Sequence, residues 1–322
     1  MGKRAIHLDA VGGILIMWMI FVHVQALTQC FFVKNRWMPF LFCFMGWFFF
    51  KAGMFFHDKP FKKELHTVWK RLLIPYLTFS VIGFLVGVVL LYIYHNESLI
   101  YFTLRSIGQV VRWGGVTSNM PIWFLLSLAV VRIVFLLANK RNATIPLILI
   151  SVVIAYLLSR YEINEPSYLG NISLGMFFFG MGYMLKDYQY NRWVVLIAAV
   201  IYVFCYVLFP SNVDVRANYV TSGTYLGFLV YALCAIILLN NIFLMIPFLF
   251  ADRVLVHIGQ NSMSYYLLHW PLITLVLGVL HIFNSNLSNT ILCIISLLVC
   301  VVILPLLNKL FHISKMKVFI GE

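Results

Sequence analysis

The sequence predicts an all-α integral membrane protein: a polytopic bundle of about ten transmembrane helices with both termini cytoplasmic. Two observations carry the class. Of the 322 residues, 63% are hydrophobic and only 10% are charged, against roughly 25% charged in an average soluble domain. The apolar residues also fall in continuous runs, and ~20 residues suffice to cross a bilayer. A third observation fixes the element type. The runs do not alternate, so they are not barrel strands, and a lone strand in lipid could not satisfy its backbone.

Taken in order, the spans are expected at residues 10–29, 37–56, 72–94, 119–138, 144–159, 168–185, 193–209, 223–239, 255–280 and 290–307. Lys3 and Arg4 precede the first run. No small-residue cleavage site ends that run, so it is expected to be a retained span rather than a removed signal. The third follows the basic stretch "KRLLIP". Residues 95–118 form the longest non-spanning stretch, and "RSIGQVVRWGG" within it suggests an interfacial or re-entrant helix. Short turns join the remaining spans. No linker or composition break divides the chain, so residues 1–322 are expected to form one transmembrane domain.

Charge sets the orientation. With the N-terminus inside, fifteen of the 23 lysines and arginines fall in inner loops and tails, six fall in outer loops, and Lys51 and Arg132 lie within spans. That bias matches the positive-inside rule. The net charge of +13 therefore reads as topology-setting charge with attraction to anionic lipid. No basic patch interleaved with aromatics is present, so nucleic acid is not an expected partner. The six cysteines include no CxxC pair, which supports neither a disulfide framework nor a metal site.

Two spans carry residues that lipid does not favour. In the first, "HLDAVGGILIMWMIFVHVQ", Gly12 and His23 are eleven residues apart. At 100° per residue that spacing closes three turns with ~20° to spare, so they share a face, and Asp9 lies ~40° off it. The Gly12–Gly13 pair makes a notch for a ligand or another helix. In the ninth span, "IGQNSMSYYLLHWP", Ser262, Tyr265, Tyr266 and His269 recur at helical spacing. His23 and His269 lie at similar depth, and in neighbouring helices they would share one polar cavity. An ionisable group inside a membrane is by default a functional candidate.

With these residues in hand, the chain resembles the acyltransferase 3 family of integral-membrane O-acyltransferases. Leu8-Asp9, Gly13 and His23 stand in the places of that family's first-span motif. "FFFKAGMFF" with Gly53, "KRLLIPYLTFS" with Arg71 and Pro75, "PIWFLLSL" with Trp123, "FFFGMGYML" and "IGQNSMSYYLLHWPL" follow in the family's order. Three positions depart: Gly12 stands for an arginine, Ala52 for a serine, and Val68 for the first of two arginines.

The resemblance implies transfer of an acyl group, acetyl by preference, from cytoplasmic acyl-CoA to a hydroxyl of a cell-envelope glycan or lipid-linked saccharide. The expected location is the inner or plasma membrane. It implies that His23 is the catalytic base. Asp9, Lys51, Arg71 and Arg132 are expected at the donor, with the Lys51 ammonium filling the place of the missing arginine. Trp123, Ser262, Tyr265 and His269 are expected to contact the acceptor or the oxyanion. No permanently bound cofactor or metal is expected, only acyl-CoA as co-substrate. A transporter or exporter of a glycan or small anion would use the same polar cavity. Against it, the sequence offers no inverted repeat and no matched pair of broken helices.

Overall fold

The computed structural model describes residues 5–30, 41–94, 97–163, 165–188, 190–245, 250–284 and 286–321. Lys3, Arg4, Lys34 and Arg36, which enter the charge count, lie outside the described residues, as does Trp37, the expected start of the second span.

The described chain is overwhelmingly helical. The order is α1 (Ile6–Thr28), α2 (Phe44–Met54), α3 (Phe61–Val68), a π-helical turn (Trp69–Leu73), α4 (Ile74–Tyr94), α5 (Leu99–Trp113), a 3-10 turn (Met120–Ile122) and α6 (Trp123–Asn139). Next come α7 (Thr144–Arg160), α8 (Ser167–Leu185) and α9 (Arg192–Leu208). A two-stranded antiparallel hairpin of β1 (Asn212–Asp214) and β2 (Tyr219–Ser222) follows. The chain ends with α10 (Tyr225–Met245), α11 (Phe250–Gln260), α12 (Ser262–Phe283), α13 (Asn289–Phe311) and a 3-10 segment (Ser314–Ile320).

Among the described residues, six helices are long and apolar enough to cross a membrane: Ile6–Thr28, Phe61–Tyr94, Met120–Asn139, Tyr225–Leu244, Ser262–Phe283 and Asn289–Phe311. The apolar helices α7 and α9 are shorter. The protein is therefore a multi-pass helical membrane protein. The α8 helix falls short of the six because Asn171 and its glycines dilute its apolar character. The ninth expected span, 255–280, is two helices that meet at Asn261. The break falls where Gly259, Gln260 and Asn261 interrupt the apolar run, residues that favour helix ends over helix interiors. The stretch "RSIGQVVRWGG" lies on α5, which ends at Gly114 in the left-handed conformation (φ 71°) that glycine adopts freely.

The chain divides into two compact units. The first comprises residues 1–15, 35–65 and 127–260. Its core is aromatic: Trp47, Phe49, Phe50, Phe56, Phe135, Phe178 and Phe179 are fully buried. Glycines let the α2 and α8 backbones touch. A Cβ on Gly53 would fall 1.9 Å from the Phe179 carbonyl oxygen, and one on Gly182 would fall 2.0 Å from that of Phe50. Gly46 and Gly175 in turn receive the Phe178 and Phe49 rings. Helices that share apolar lipid gain little from burial alone, so close packing at small residues holds them together. The second such seam joins α1 to α11. A Cβ on Gly13 would strike the Leu255 carbonyl oxygen at 2.0 Å, and one on Gly259 would strike that of Asp9 at 1.7 Å. The occupant of the glycine notch on α1 is thus another helix.

The second unit comprises residues 16–34, 66–126 and 261–322. Pro75 lacks an N–H and crowds the carbonyl four residues back, that of Arg71. The helix widens into its π turn immediately before Pro75. The C-terminal segment fits against the same place. Gly321, at φ +82°, lies where a Cβ would come within 2.6 Å of the Arg71 carbonyl oxygen. Further along α4, Gly83 and Gly87 admit Val116 and Asn119, and Phe102 and Ser118.

Candidate active site

The α1 residues from 16 onward and the whole of α12 belong to the second unit. Within it His23 and His269 meet. The His23 Nδ1 and His269 Nε2 atoms are 2.8 Å apart. The ring centroids are 5.0 Å apart with an interplanar angle of only 11°. A 2.8 Å nitrogen contact between nearly parallel rings at that spacing places them edge to edge in almost one plane. The bond therefore points along a ring lone pair, as a strong hydrogen bond requires.

The second nitrogen of His269 is also committed: Nδ1 lies 2.6 Å from the Tyr266 carbonyl oxygen on the preceding turn. A carbonyl only accepts, so His269 carries its proton on Nδ1. Its Nε2 then holds the lone pair, and His23 Nδ1–H donates to it. In this neutral pair the basic lone pair of His23 is on Nε2. His269 is completely buried, so other protein atoms replace water around it. The Trp270 and His23 rings form a T-shaped pair, with centroids 5.0 Å apart at 79°.

The surrounding residues hold α12 in register. Tyr266 is buried, its hydroxyl donates to the Pro121 carbonyl, and its ring meets Phe124. Ser264 donates to Asn308 of α13. Tyr265 is buried, and Ser262 is partly exposed at the first position of α12. Trp123 is also buried and packs over Gly114. Arg71 lies within the π turn and is exposed.

Two expected donor residues sit together in the first unit. Lys51 Nζ lies 3.4 Å from Asp9 Oδ1, donates to the Leu8 carbonyl at 3.3 Å and sits 5.0 Å over the Trp47 ring. A Cβ on Gly12 would lie 3.5 Å from that ammonium and 3.3 Å from Trp47. Lys51 thus occupies the space into which a side chain at position 12 would project. Trp47 is fixed in turn by donating to Asn240 Oδ1 at 2.7 Å.

Arg132 has another partner. Its Nε and Nη2 both lie 2.7 Å from Glu64 Oε1, and its guanidinium covers the Phe56 ring. Glu64 is 1% exposed, and Lys59 is 3.9 Å from its other oxygen. A buried carboxylate in this setting must be paired. The cation is already neutralised within the first unit.

Sequence reasoning did not find the Tyr266 carbonyl, because backbone acceptors carry no residue signature. Nor did it pair Glu64 with Arg132, although an arginine in a span calls for an acid. The Asn240 partner of Trp47 was equally hidden among apolar neighbours.

The arrangement is thus a multi-pass helical bundle in which the His23 imidazole is hydrogen-bonded to a second, fully buried one. The family assignment is sharper. Residues 6–305 match the acyltransferase 3 family model, described as an acyltransferase domain, so the chain belongs to that family and is a membrane acyltransferase. No curated protein and no solved structure matches the chain.

Proposed function

We propose that the protein transfers an acyl group, acetyl by preference, from cytoplasmic acyl-CoA to a hydroxyl of a cell-envelope glycan, with His23 as general base. The observation that carries this reading is the chain His23 Nδ1–H to His269 Nε2, anchored by His269 Nδ1–H on the Tyr266 carbonyl. That chain holds one tautomer and one ring orientation and leaves His23 Nε2 as the proton acceptor.

In the proposed step the acceptor hydroxyl oxygen attacks the thioester carbonyl while its proton passes to His23 Nε2. The tetrahedral intermediate collapses, the carbon–sulfur bond breaks, and the imidazolium returns the proton to the departing thiolate. The positive charge that forms on His23 is shared through Nδ1–H with His269. His269 is therefore a positioning residue in this mechanism, since both of its nitrogens face protein atoms. The exposed Arg71, within the π turn, is the donor contact retained for the CoA phosphates, which arginine binds through two parallel hydrogen bonds. The Asp9–Lys51 pair is retained at the N-terminal end of α1, where the missing arginine would stand. With both termini cytoplasmic, the donor arrives from the inner face and the acceptor from the outer one.

The test is acyl transfer in proteoliposomes supplied with radiolabelled acetyl-CoA and with membranes of the native host as the acceptor source. The expected result is label in a glycan fraction, dependent on the protein. Label left entirely in acetyl-CoA, with acetyl-CoA binding absent from the purified protein, would overturn the donor assignment.

A further inference from the structure

We infer that the indole N–H of Trp270 is the hydrogen-bond donor that receives the oxyanion formed during acyl transfer. The inference rests on the reading of His23 as base and adds the second half of the site.

Three observations carry it. Trp270 adjoins His269 on α12, and its ring lies 5.0 Å from that of His23, centroid to centroid, with the two planes nearly perpendicular. The residue as a whole is only partly buried, yet its Nε1 is sealed from the surface. That atom has no hydrogen-bond partner among the described residues. An indole nitrogen can only donate. A donor shut inside a membrane-spanning helix and left unpaired is costly, and buried indoles ordinarily find a partner. A ligand oxygen beside His23 would supply one.

The chemistry requires such a donor. When the acceptor oxygen bonds to the thioester carbon, the carbonyl π pair moves onto oxygen and the hydroxyl proton moves to His23 Nε2. The new oxyanion carries a full charge in a medium of low dielectric. A preorganised N–H aimed at it is worth far more there than in water. As the carbon–sulfur bond breaks, the pair returns to the carbonyl, and the thiolate takes the proton from His23. Trp270 contributes a hydrogen bond throughout and exchanges no proton. Because both His269 nitrogens are already committed to His23 and Tyr266, the oxyanion role passes from His269 to its neighbour.

The experiment compares wild type, Trp270→Phe and His23→Ala in the proteoliposome assay, with thermal unfolding of each purified protein. Removal of one oxyanion donor lowers kcat by about 100- to 1,000-fold. That loss is expected for Trp270→Phe, with the KM for acetyl-CoA unchanged. Its unfolding temperature is expected to be unchanged or higher, because the variant deletes an unpaired buried donor. A merely structural tryptophan would lose stability and activity together. If both fall, benzothienylalanine incorporated at position 270 decides the matter, since it keeps the ring shape and lacks the N–H. Retained activity in that protein overturns the inference, and lost activity supports it. Full activity of Trp270→Phe beside an inactive His23→Ala overturns the oxyanion role alone. Full activity of both overturns the base as well.

Discussion

Replacing His269 by phenylalanine removes the acceptor for His23 Nδ1–H while keeping a flat ring in a fully buried site. The ground state loses two neutral hydrogen bonds, the one from His23 and the one to the Tyr266 carbonyl, and only the first changes during the reaction. The transition-state loss is larger, because the proton that His23 gains makes the bond charge-assisted. Such bonds contribute about 1.5–3 kcal/mol. The neutral bond already contributes about 0.5–1.5 kcal/mol in the ground state, so the barrier rises by about 1–1.5 kcal/mol, and at 1.36 kcal/mol per tenfold kcat should fall about 5- to 13-fold. The KM for acetyl-CoA should hold, since no donor contact is removed. His269→Gln provides the control: its amide oxygen can accept from His23, so it should recover most of that loss. Steady-state transfer kinetics in proteoliposomes, with thermal unfolding of each variant, read all three proteins. Equal damage from Phe and Gln would mean that the site needs only the shape of histidine. A His269→Phe protein with wild-type kcat would refute the alignment argument outright.

Other consequences concern the first unit. Arg132→Ala leaves the buried Glu64 carboxylate with only the half-exposed Lys59 ammonium at 3.9 Å, which costs up to about 3–5 kcal/mol; Glu64→Gln in the same protein should recover much of it, as thermal unfolding in detergent would report. Gly182→Ala drives a Cβ to 2.0 Å from the Phe50 carbonyl oxygen, so α2 and α8 must part, a strain of about 1–3 kcal/mol or more visible as a lower unfolding temperature and yield. If Lys51 supplies the charge that position 12 lacks, Lys51→Ala should raise the KM for acetyl-CoA, and Gly12→Arg in that protein should bring it back down. An unchanged KM in Lys51→Ala would end the idea of a relocated cation.

Much of this was legible in the sequence because lipid enforces simple rules. Apolar runs had to be helices, and α7, α8 and α9 begin and end within a residue or two of their expected positions. The pairing of His23 with His269 could be posed because two imidazoles at one depth are rare and expensive. What escaped was set by contacts between distant segments. The break at Asn261 lies in a run that still reads as one span by hydropathy. It becomes explicable when Gly259 is found against the Asp9 carbonyl. The Phe- and Gly-rich stretches of α2 and α8 read only as segments resembling the family's, and the fold shows that they interlock with each other, rings into glycine gaps. Arg132 carried a charge that could face a ligand or an acid, and only the fold reveals Glu64. Tautomers were beyond reach, since they depend on the Tyr266 carbonyl.

The most direct test of the account is the comparison of wild type with His23→Ala in acyl transfer from radiolabelled acetyl-CoA. General-base catalysis contributes about 100- to 10,000-fold, so the variant should retain acetyl-CoA binding and unfolding temperature while its transfer rate falls at least that far. Transfer at the wild-type rate by a correctly folded His23→Ala protein would contradict the central claim, and the paired imidazoles would then serve only to join α1 to α12.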